Sequence, residues 1–311
     1  MDMRTVFMDE LLKTAEKDKR IVFLDADLGK AGATASFADS YPDRKINAGV
    51  AESNMIGIAA GLASVGKIPF AHTFGCFASR RVFDQFFISA AYAKLGVKLV
   101  GTDPGVAAAF NGGTHMPFED LGLMRIIPGL PVIEPSDPVS CIGLLRSVID
   151  YPGPVYFRLY RKELPVLYKE DETFEIGKAK IVKNGGEGGV LLLALGGIML
   201  NEALLAANEL EERGVHVSVI DVLSLKPLDE DLLLKEIKES KIVLTCENHQ
   251  KKNGLGSAVA ELIAENGLSV PLVRIGVDDL FGQVGTEEWL KMNYGLSHES
   301  IIQAVLHRSA M

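Results

Sequence analysis

One glutamate, two phenylalanines and one histidine have the types and spacing to do chemistry together. Glu52 is the single charged residue of the run GVAESNMIGIAAGLA at 49–63. Phe74 and Phe77 lie three apart in TFGCF, and His115 follows a glycine pair in NGGTHMP. A buried carboxylate is costly without a partner, so Glu52 needs a hydrogen-bonding group. Together these side chains indicate a site for a flat, nitrogen-rich cofactor.

Each of these residues also has a simpler interpretation. Glu52 can be an acid in the first turn of a helix, where the helix dipole favours negative charge. A phenylalanine at position 74 or 77 can be part of the hydrophobic core. His115 can be a solvated histidine of a surface loop, although a loop histidine with a tunable pKa suits acid–base or substrate-binding work.

Two arginines near the end of a predicted strand are candidates for binding an anionic substrate group. Arg158 lies in the segment PVYFRLY, residues 154–160, and Arg161 follows that segment directly. The planar guanidinium group suits phosphate because its donors form a fork. Either arginine can instead form a surface ion pair with Glu163 or Asp150.

The net charge, the apolar runs and the cysteine count exclude several classes of protein. The formal net charge of the 311 residues is −9, and there is no basic stripe of the kind that binds nucleic acid. No uninterrupted apolar run approaches the roughly 20 residues that span a bilayer, and the N-terminus lacks the apolar centre of a signal peptide. Cys76, Cys141 and Cys246 are far apart and odd in number, which favours reduced thiols. We therefore expect a cytoplasmic protein without a nucleic-acid or membrane partner.

Short apolar runs alternate with helical stretches, which predicts two doubly wound, mainly parallel α/β domains. The predicted strands are 21–27, 45–50, 68–74, 97–103, 131–137, 154–160, 190–196, 215–222, 241–247 and 270–277. The predicted helices are 1–18, 54–65, 80–95, 139–150, 201–213, 254–266 and 299–307. Charged residues ending in NGGEGG have a linker composition. We expect a first domain at 1–165, a linker at 166–188 and a smaller second domain at 189–311.

The motifs and their order closely resemble the C-terminal half of transketolase. Matching stretches run over nearly the whole chain: DADL (25–28), GVAESNMIGIAAGLA (49–63), TFGCF (73–77), GGTHMP (112–117), EPSD (134–137) and RKELP (161–165). The resemblance implies a thiamine diphosphate pyrimidine-binding domain followed by a transketolase C-terminal domain. Related sets of motifs occur in deoxyxylulose-phosphate synthase and in the β subunits of 2-oxoacid dehydrogenases.

The resemblance assigns catalytic and cofactor-binding roles to the glutamate, the two phenylalanines and the histidine. Glu52 would hydrogen-bond a ring nitrogen of the aminopyrimidine and promote its imino tautomer, a role that suits a desolvated glutamate. Phe77 would stack on the pyrimidine, with Phe74 beside it. His115 would bind the hydroxyl of the donor sugar and help proton transfer.

The resemblance also assigns substrate and pocket residues. Asp27 and Leu28 would line the pyrimidine pocket. Arg161, or alternatively Arg158, would bind the phosphate of the sugar.

Three positions depart from the family's pattern. Asp103 and Asn111 stand where transketolases usually carry a histidine and an aspartate that contact the sugar, and Arg80 replaces a tyrosine. Asp103 and Asn111 are therefore expected to contact substrate, with the donor and acceptor sugars left open.

The largest departure is a missing half. Transketolases hold thiamine diphosphate through Mg²⁺ and a GDG motif, and no GDG occurs in this chain. The resemblance thus implies the small subunit of a split transketolase, which moves a two-carbon ketol unit between ketose and aldose phosphates. A separate N-terminal subunit would bind the diphosphate and Mg²⁺, and this chain would self-associate through its pyrimidine-binding domain.

Two alternatives remain at this stage. The chain can be a deoxyxylulose-phosphate synthase-like or 2-oxoacid dehydrogenase β-type subunit. It can also be a non-catalytic assembly subunit that keeps the fold. The joint presence of Glu52, Phe77 and His115 argues against the latter, because the fold alone does not require them.

Overall fold

Two mainly parallel sheets with interleaved helices form the core of the chain. A computed structural model describes residues 2–29 and 34–309. Its strands are β1 (Ile21–Asp25), β2 (Lys45–Asn47), β3 (Ile68–Phe74), β4 (Lys98–Thr102), β5 (Val132–Ile133), β6 (Val155–Leu159), β7 (Lys180–Lys183), β8 (Val190–Leu195), β9 (Val217–Asp221), β10 (Ser224–Lys226), β11 (Ile242–Gln250) and β12 (Leu272–Val277).

The strand order confirms the predicted fold class. In the described part of the chain the first sheet runs β10-β5-β6-β4-β3-β1-β2, and β10 is antiparallel to its neighbour β5. The second sheet runs β12-β11-β8-β9-β7, with β7 antiparallel to β9. The other neighbours pair in parallel. Both sheets are therefore of the doubly wound α/β kind.

Helices connect the strands and cover the sheets. Those in the described residues are α1 (Met3–Lys17), α2 (Ala35–Ser40), α3 (Glu52–Ser64), α4 (Phe83–Gln85), α5 (Asp120–Arg125), α6 (Pro138–Asp150), α7 (Gly197–Glu212), α8 (Glu230–Lys238), α9 (Leu255–Glu265), α10 (Glu287–Asn293) and α11 (His298–Ser309). Two 3₁₀ segments, Pro42–Arg44 and Gly105–Asn111, and two π-helical segments, Phe77–Arg81 and Phe86–Tyr92, complete the set.

Burial explains why the strand predictions succeed. Every residue of β1, β4, β6 and β8 is buried, as expected for strands with helices on both faces. The strand β3 occupies the predicted range 68–74. By contrast, β5 has only two residues of the predicted range 131–137, because the rest forms the approach to α6.

Local capping fixes the helices that flank the first sheet. The Asp2 side chain accepts a hydrogen bond from the backbone N–H of Thr5 at the start of α1. Asp137 and Ser140 form a reciprocal capping box at the start of α6, with Pro138 in its first turn. The helix predicted at 80–95 begins earlier and consists largely of π-helical turns.

The two sheets are joined by more than the chain between them. Within the segment 166–188, predicted as a linker, β7 pairs with β9 at the edge of the second sheet. The strand β10 follows β9 in the chain yet pairs with β5 of the first sheet. The pairing of β10 with β5 therefore ties the chain that leaves the second sheet to the edge of the first.

Across residues 2–29 and 34–309, no helix combines the length and apolar character needed to cross a bilayer.

Candidate active site

Neighbouring strands of the first sheet end at one edge, and predicted site residues follow them there. The parallel strands β6, β4, β3, β1 and β2 lie side by side in this order. Ligands of open α/β sheets bind outside the carboxyl ends of such strands. The residues that end or follow the five strands are, in the same order, Arg161, Asp103, Phe74, Asp27 and Glu52.

Glu52 begins α3 and is buried, with 3% of its surface exposed. Arg81 donates a hydrogen bond from Nη1 to Glu52 Oε2 at 3.4 Å. Ser53 holds the same segment by donating its hydroxyl hydrogen bond to the carbonyl oxygen of Arg81 at 3.1 Å. Glu52 Oε1 has no hydrogen-bond partner within the described ranges. The carboxylate therefore keeps one acceptor for a ligand.

Three rings meet beside this carboxylate. The ring centres of Phe74 and Phe77 are 6.3 Å apart. The imidazole of His115 lies edge-on to both, at 5.8 Å from Phe74 and 5.3 Å from Phe77. Arg81 connects the rings to Glu52, because its guanidinium carbon lies 5.2 Å from the centre of Phe77. The structure thus brings together the four residues that the sequence singled out.

The glycine pair before His115 allows a close approach between the two halves of the chain. Gly112 has φ +75°, in the left-handed region that favours glycine. A Cβ at Gly113 would lie only 2.2 Å from the carbonyl oxygen of Gly282. The Thr114 hydroxyl is 2.9 Å from His115 Nδ1 and orients the ring. Arg80 anchors the loop by donating to the carbonyl of Thr114 at 2.9 Å.

Asp27 and Leu28 lie at the same edge, just beyond β1. Asp27 is exposed and has φ +62°. Its backbone N–H donates to Asn47 Oδ1, and Asn47 Nδ2 donates to Asp27 Oδ1, both at 3.1 Å. Leu28 is half-buried. Asn111 lies at the end of the 3₁₀ segment 105–111 and is exposed.

Arg161 and Asp103 form an ion pair at this edge. Arg161 Nε lies 3.0 Å from Asp103 Oδ1, and the arginine side chain is 23% exposed whereas the aspartate side chain is 1% exposed. The guanidinium carbon is 5.9 Å from the ring centre of Phe74. Burial raises the pKa of Asp103, and the charge of Arg161 opposes that shift. Asp103 therefore faces an arginine of the site.

Arg158 does not lie in this site, which corrects the prediction that it can bind substrate. Its side chain is fully buried within β6. It donates to both carboxylate oxygens of Asp120 at 2.7 and 3.0 Å, to Glu134 at 2.9 Å, and to the carbonyl oxygen of Asn248 at 2.9 Å. Because Asn248 belongs to β11, Arg158 joins the two sheets. The expected surface partners, Glu163 and Asp150, are not the ones it uses.

A polar layer beneath the site was not predicted. His72 is buried in β3, with Nε2 3.4 Å from the hydroxyl of Thr102. Burial lowers the pKa of His72 to about 4, against the opposing charge of Asp25. Asp25 itself contacts Lys45 Nζ at 2.7 Å. The imidazole is therefore neutral at pH 7.

Sequence reasoning missed two residues at the site, Arg81 and Asn47. The Arg–Phe composition of the segment after TFGCF was the signal for Arg81, but it does not show which arginine turns toward Glu52. Asn47 gave no signal, because its contact to Asp27 joins two strands. Among the described residues, no group of three or more His, Cys, Asp and Glu side chains is placed to hold a metal ion.

Comparison with known proteins identifies the family. The model of the transketolase pyrimidine-binding domain matches residues 1–166, and that of the transketolase C-terminal domain matches residues 177–301. The chain belongs to the transketolase family. It is 48% identical to a 6-deoxy-6-sulfo-D-fructose transketolase subunit of Clostridium sp. strain MSTE9, over 97% of this chain and 92% of that protein.

Other members of the transketolase family match the chain nearly end to end. A putative transketolase C-terminal section of Methanocaldococcus jannaschii is 42% identical over 98% of this chain and 95% of that protein. A solved structure described as a split-gene transketolase, an inactive β4 tetramer, superposes with a TM-score of 0.90 at 39% identity. That superposition covers 99% of this chain and 98% of the other.

Proposed function

We propose that this chain is the small subunit of a thiamine diphosphate-dependent transketolase. The complex would transfer a two-carbon ketol unit between ketose and aldose substrates. An N-terminal partner subunit would supply the diphosphate-binding domain and hold Mg²⁺. The names of the relatives, which are a subunit and a C-terminal section, support this division. The observation that carries the proposal is Glu52, a buried carboxylate with one acceptor oxygen open beside the rings of Phe77 and His115.

The side chains at the carboxyl edge fit an aminopyrimidine ring. Glu52 Oε1 would hydrogen-bond a ring nitrogen and exchange a proton with it, because Oε2 is already held by Arg81. Phe77 would pack against the ring, with Phe74 beside it and with Asp27 and Leu28 bordering the pocket. When bound, thiamine diphosphate supplies the carbon nucleophile that accepts the ketol unit.

His115 would bind the donor sugar and move a proton to or from its hydroxyl. The Thr114 hydroxyl contacts Nδ1, which leaves Nε2 for the substrate. The edge-on contacts to Phe74 and Phe77 restrict rotation of the imidazole. A histidine held in this way can present one nitrogen in a fixed direction, as proton transfer requires.

Arg161 would bind the anionic group of the substrate. It forms an ion pair with Asp103, and none of its N–H groups donates a hydrogen bond to a residue of the described ranges, so its guanidinium donors remain for a tetrahedral anion. We propose sugar phosphates as substrates, and the relative that acts on a 6-sulfo sugar adds sulfonate as a second anion of the same shape. Asn111, exposed at the same edge, would contact the sugar hydroxyls.

Self-association would occur through the pyrimidine-binding domain, which we propose spans 1–165, before a connecting segment at 166–188 and a C-terminal domain at 189–311. The exposed glycines of α3, Gly57 and Gly61, support a close helix contact there. The tetrameric description of the similar structure agrees with this. The three free, buried cysteines are typical of a reducing compartment, and we propose the cytoplasm.

The test is Glu52→Gln in the complex assembled with the partner subunit, thiamine diphosphate and Mg²⁺. The amide fills the same space but does not exchange a proton in the same way, so turnover should fall by about 10²–10⁴-fold. Glu16→Gln, on the exposed face of α1, is the matched control and should leave turnover unchanged. Unchanged turnover of Glu52→Gln at saturating cofactor would contradict the proposal. Efficient use of pyruvate in place of a ketose donor would favour the synthase-like alternative.

A further inference from the structure

Asp103 lies beside Arg161, where its charge acts on the guanidinium group. It follows β4 with φ +59°, a conformation that aspartate and asparagine tolerate better than most residues. Its side chain is buried, and its contact with a charged group is Arg161 Nε at 3.0 Å. Within the described ranges neither Asp103 oxygen has a hydrogen-bond partner, so its link to Arg161 is one of charge.

The other cations near Asp103 add little net positive charge around the Asp103–Arg161 pair. Lys162 contacts Glu287 at 2.8 Å, and Arg4 contacts Asp2 at 3.4 Å. Each of these cations is paired with a carboxylate of its own. An anion that binds the Nη atoms of Arg161 thus meets one guanidinium group with one carboxylate directly behind it.

The number of charges on the ligand decides how strongly this carboxylate matters. Coulombic attraction and repulsion both scale with ligand charge. A phosphate monoester carries close to two negative charges at pH 7, whereas a sulfonate carries one. An unpaired arginine binds a doubly charged anion much more tightly than a singly charged one. An arginine paired with an aspartate binds the two with similar affinity, because the carboxylate repels the second charge.

We propose that the buried carboxylate of Asp103, 3.0 Å from Arg161 Nε, offsets the charge of Arg161, so that the pair removes the advantage of a doubly charged anionic group over a singly charged one. The proposal rests on the proposed function, because it deepens the role of Arg161. It predicts that the site accepts a sulfonate-bearing ketose about as well as a phosphate-bearing one.

A binding experiment tests the charge argument without turnover. Methyl phosphate and methanesulfonate have the same tetrahedral shape and differ in charge. Their dissociation constants are measured by titration of the assembled wild-type complex at pH 7.5. We expect values within about threefold of each other. A preference for methyl phosphate of tenfold or more in the wild-type complex overturns the proposal, and this measurement needs no variant that must fold.

Asp103→Asn then tests the role of the carboxylate. Asparagine keeps the size and tolerates the backbone conformation, so the charge is the main change. The affinity for methyl phosphate relative to methanesulfonate should rise by about five- to thirtyfold. Asp171→Asn, the same substitution at an exposed residue of the segment 166–188, is the matched control and should change this ratio less than twofold.

A double variant shows whether the two charges offset each other. Arg161→Ala alone should lower the ratio below the wild-type value, because the carboxylate then repels the doubly charged ligand without a compensating cation, and adding Asp103→Asn should return the ratio to within about threefold of the wild type. An unchanged ratio in Arg161→Ala overturns the charge balance. In turnover assays, Asp103→Asn should change KM for anionic ketoses by a larger factor than it changes kcat. A wild-type complex that transfers no ketol unit from any ketose contradicts the proposed function, whereas an active complex with an unchanged ratio in Asp103→Asn contradicts this inference alone.

Discussion

Arg81 Nη1 lies 3.4 Å from Glu52 Oε2, so the arginine contacts a buried carboxylate of the proposed cofactor site. More than half of the Arg81 side chain, 54%, is exposed. Arg158 also binds carboxylates, but both it and Asp120 are fully buried. These two arginines therefore bind carboxylates in different environments, Arg81 at the proposed site and Arg158 in the core.

These two arginines should contribute differently to stability. Arg158→Ala leaves two buried carboxylates without their cation and should lower the free energy of unfolding by about 3–5 kcal/mol. Arg81→Ala should lower it by less, about 1 kcal/mol, because the Arg81 side chain is largely exposed and water can take its place beside Glu52. Urea unfolding of both variants checks this difference. Equal losses would show that Arg158 is less important to the core than its contacts indicate.

The small-residue face of α3 should mediate self-association. Gly57 and Gly61 lie one turn apart and are exposed, and a Cβ at either would meet no other atom within 4 Å. Gly61→Leu therefore fits the single chain, but it should block a close contact between two copies. We expect sedimentation at micromolar concentration to show a smaller assembly than for the wild type.

A control separates interface bulk from general hydrophobicity. Lys13→Leu adds an exposed leucine on α1 and should leave the assembly unchanged. Thermal unfolding should show that Gly61→Leu remains folded. If Gly61→Leu sediments like the wild type, or if the wild type is monomeric, α3 is not the contact.

Buried His72 should make stability depend on pH in the acid range. Its pKa is lowered to about 4 by burial, whereas an unfolded histidine titrates near 6.5. Between these values the unfolded chain binds more protons, so stability falls as pH decreases from 6.5 to 4, by up to about 3 kcal/mol. His72→Gln should remove this contribution and give a shallower pH dependence in urea unfolding.

The exposed His307 provides the comparison for that measurement. His307→Gln, which replaces an exposed residue of α11, is the control variant and should retain the wild-type slope. His249, buried with its pKa also lowered to about 4, retains its own contribution in both variants. An unaltered slope in His72→Gln would contradict this account, because it would mean that folding does not lower the pKa of His72.

Strands that are specified by their own apolar residues could be predicted from the sequence. The strand β3 was predicted at 68–74, where it lies, because an apolar run between two turn signals defines a buried strand by itself. The strand β10 was missed because its three residues, Ser224–Lys226, are stabilised by pairing with β5, far away in sequence. The same reason applies to β7, which forms only an edge of the second sheet.

The residues of the candidate site also fall into two groups: those that the local sequence marks and those that only the fold brings together. Glu52, Phe77 and His115 were found because unusual residues in small or glycine-containing runs attract attention. Arg158 and Arg161 could not be separated, since each is an arginine near one strand and only the fold decides which is buried. The partner of Arg161 was also out of reach, because Asp103 precedes it by 58 residues and meets it only through the pairing of β4 with β6.

The most direct test of the account is ketol transfer by the purified chain with and without the partner subunit. Thiamine diphosphate, Mg²⁺, a ketose phosphate or sulfonate donor and an aldose phosphate acceptor are present in both assays. We predict turnover only when the two subunits are mixed, reaching a maximum at a fixed ratio of subunits. Robust turnover by this chain alone would contradict the proposal that it is one half of a divided transketolase.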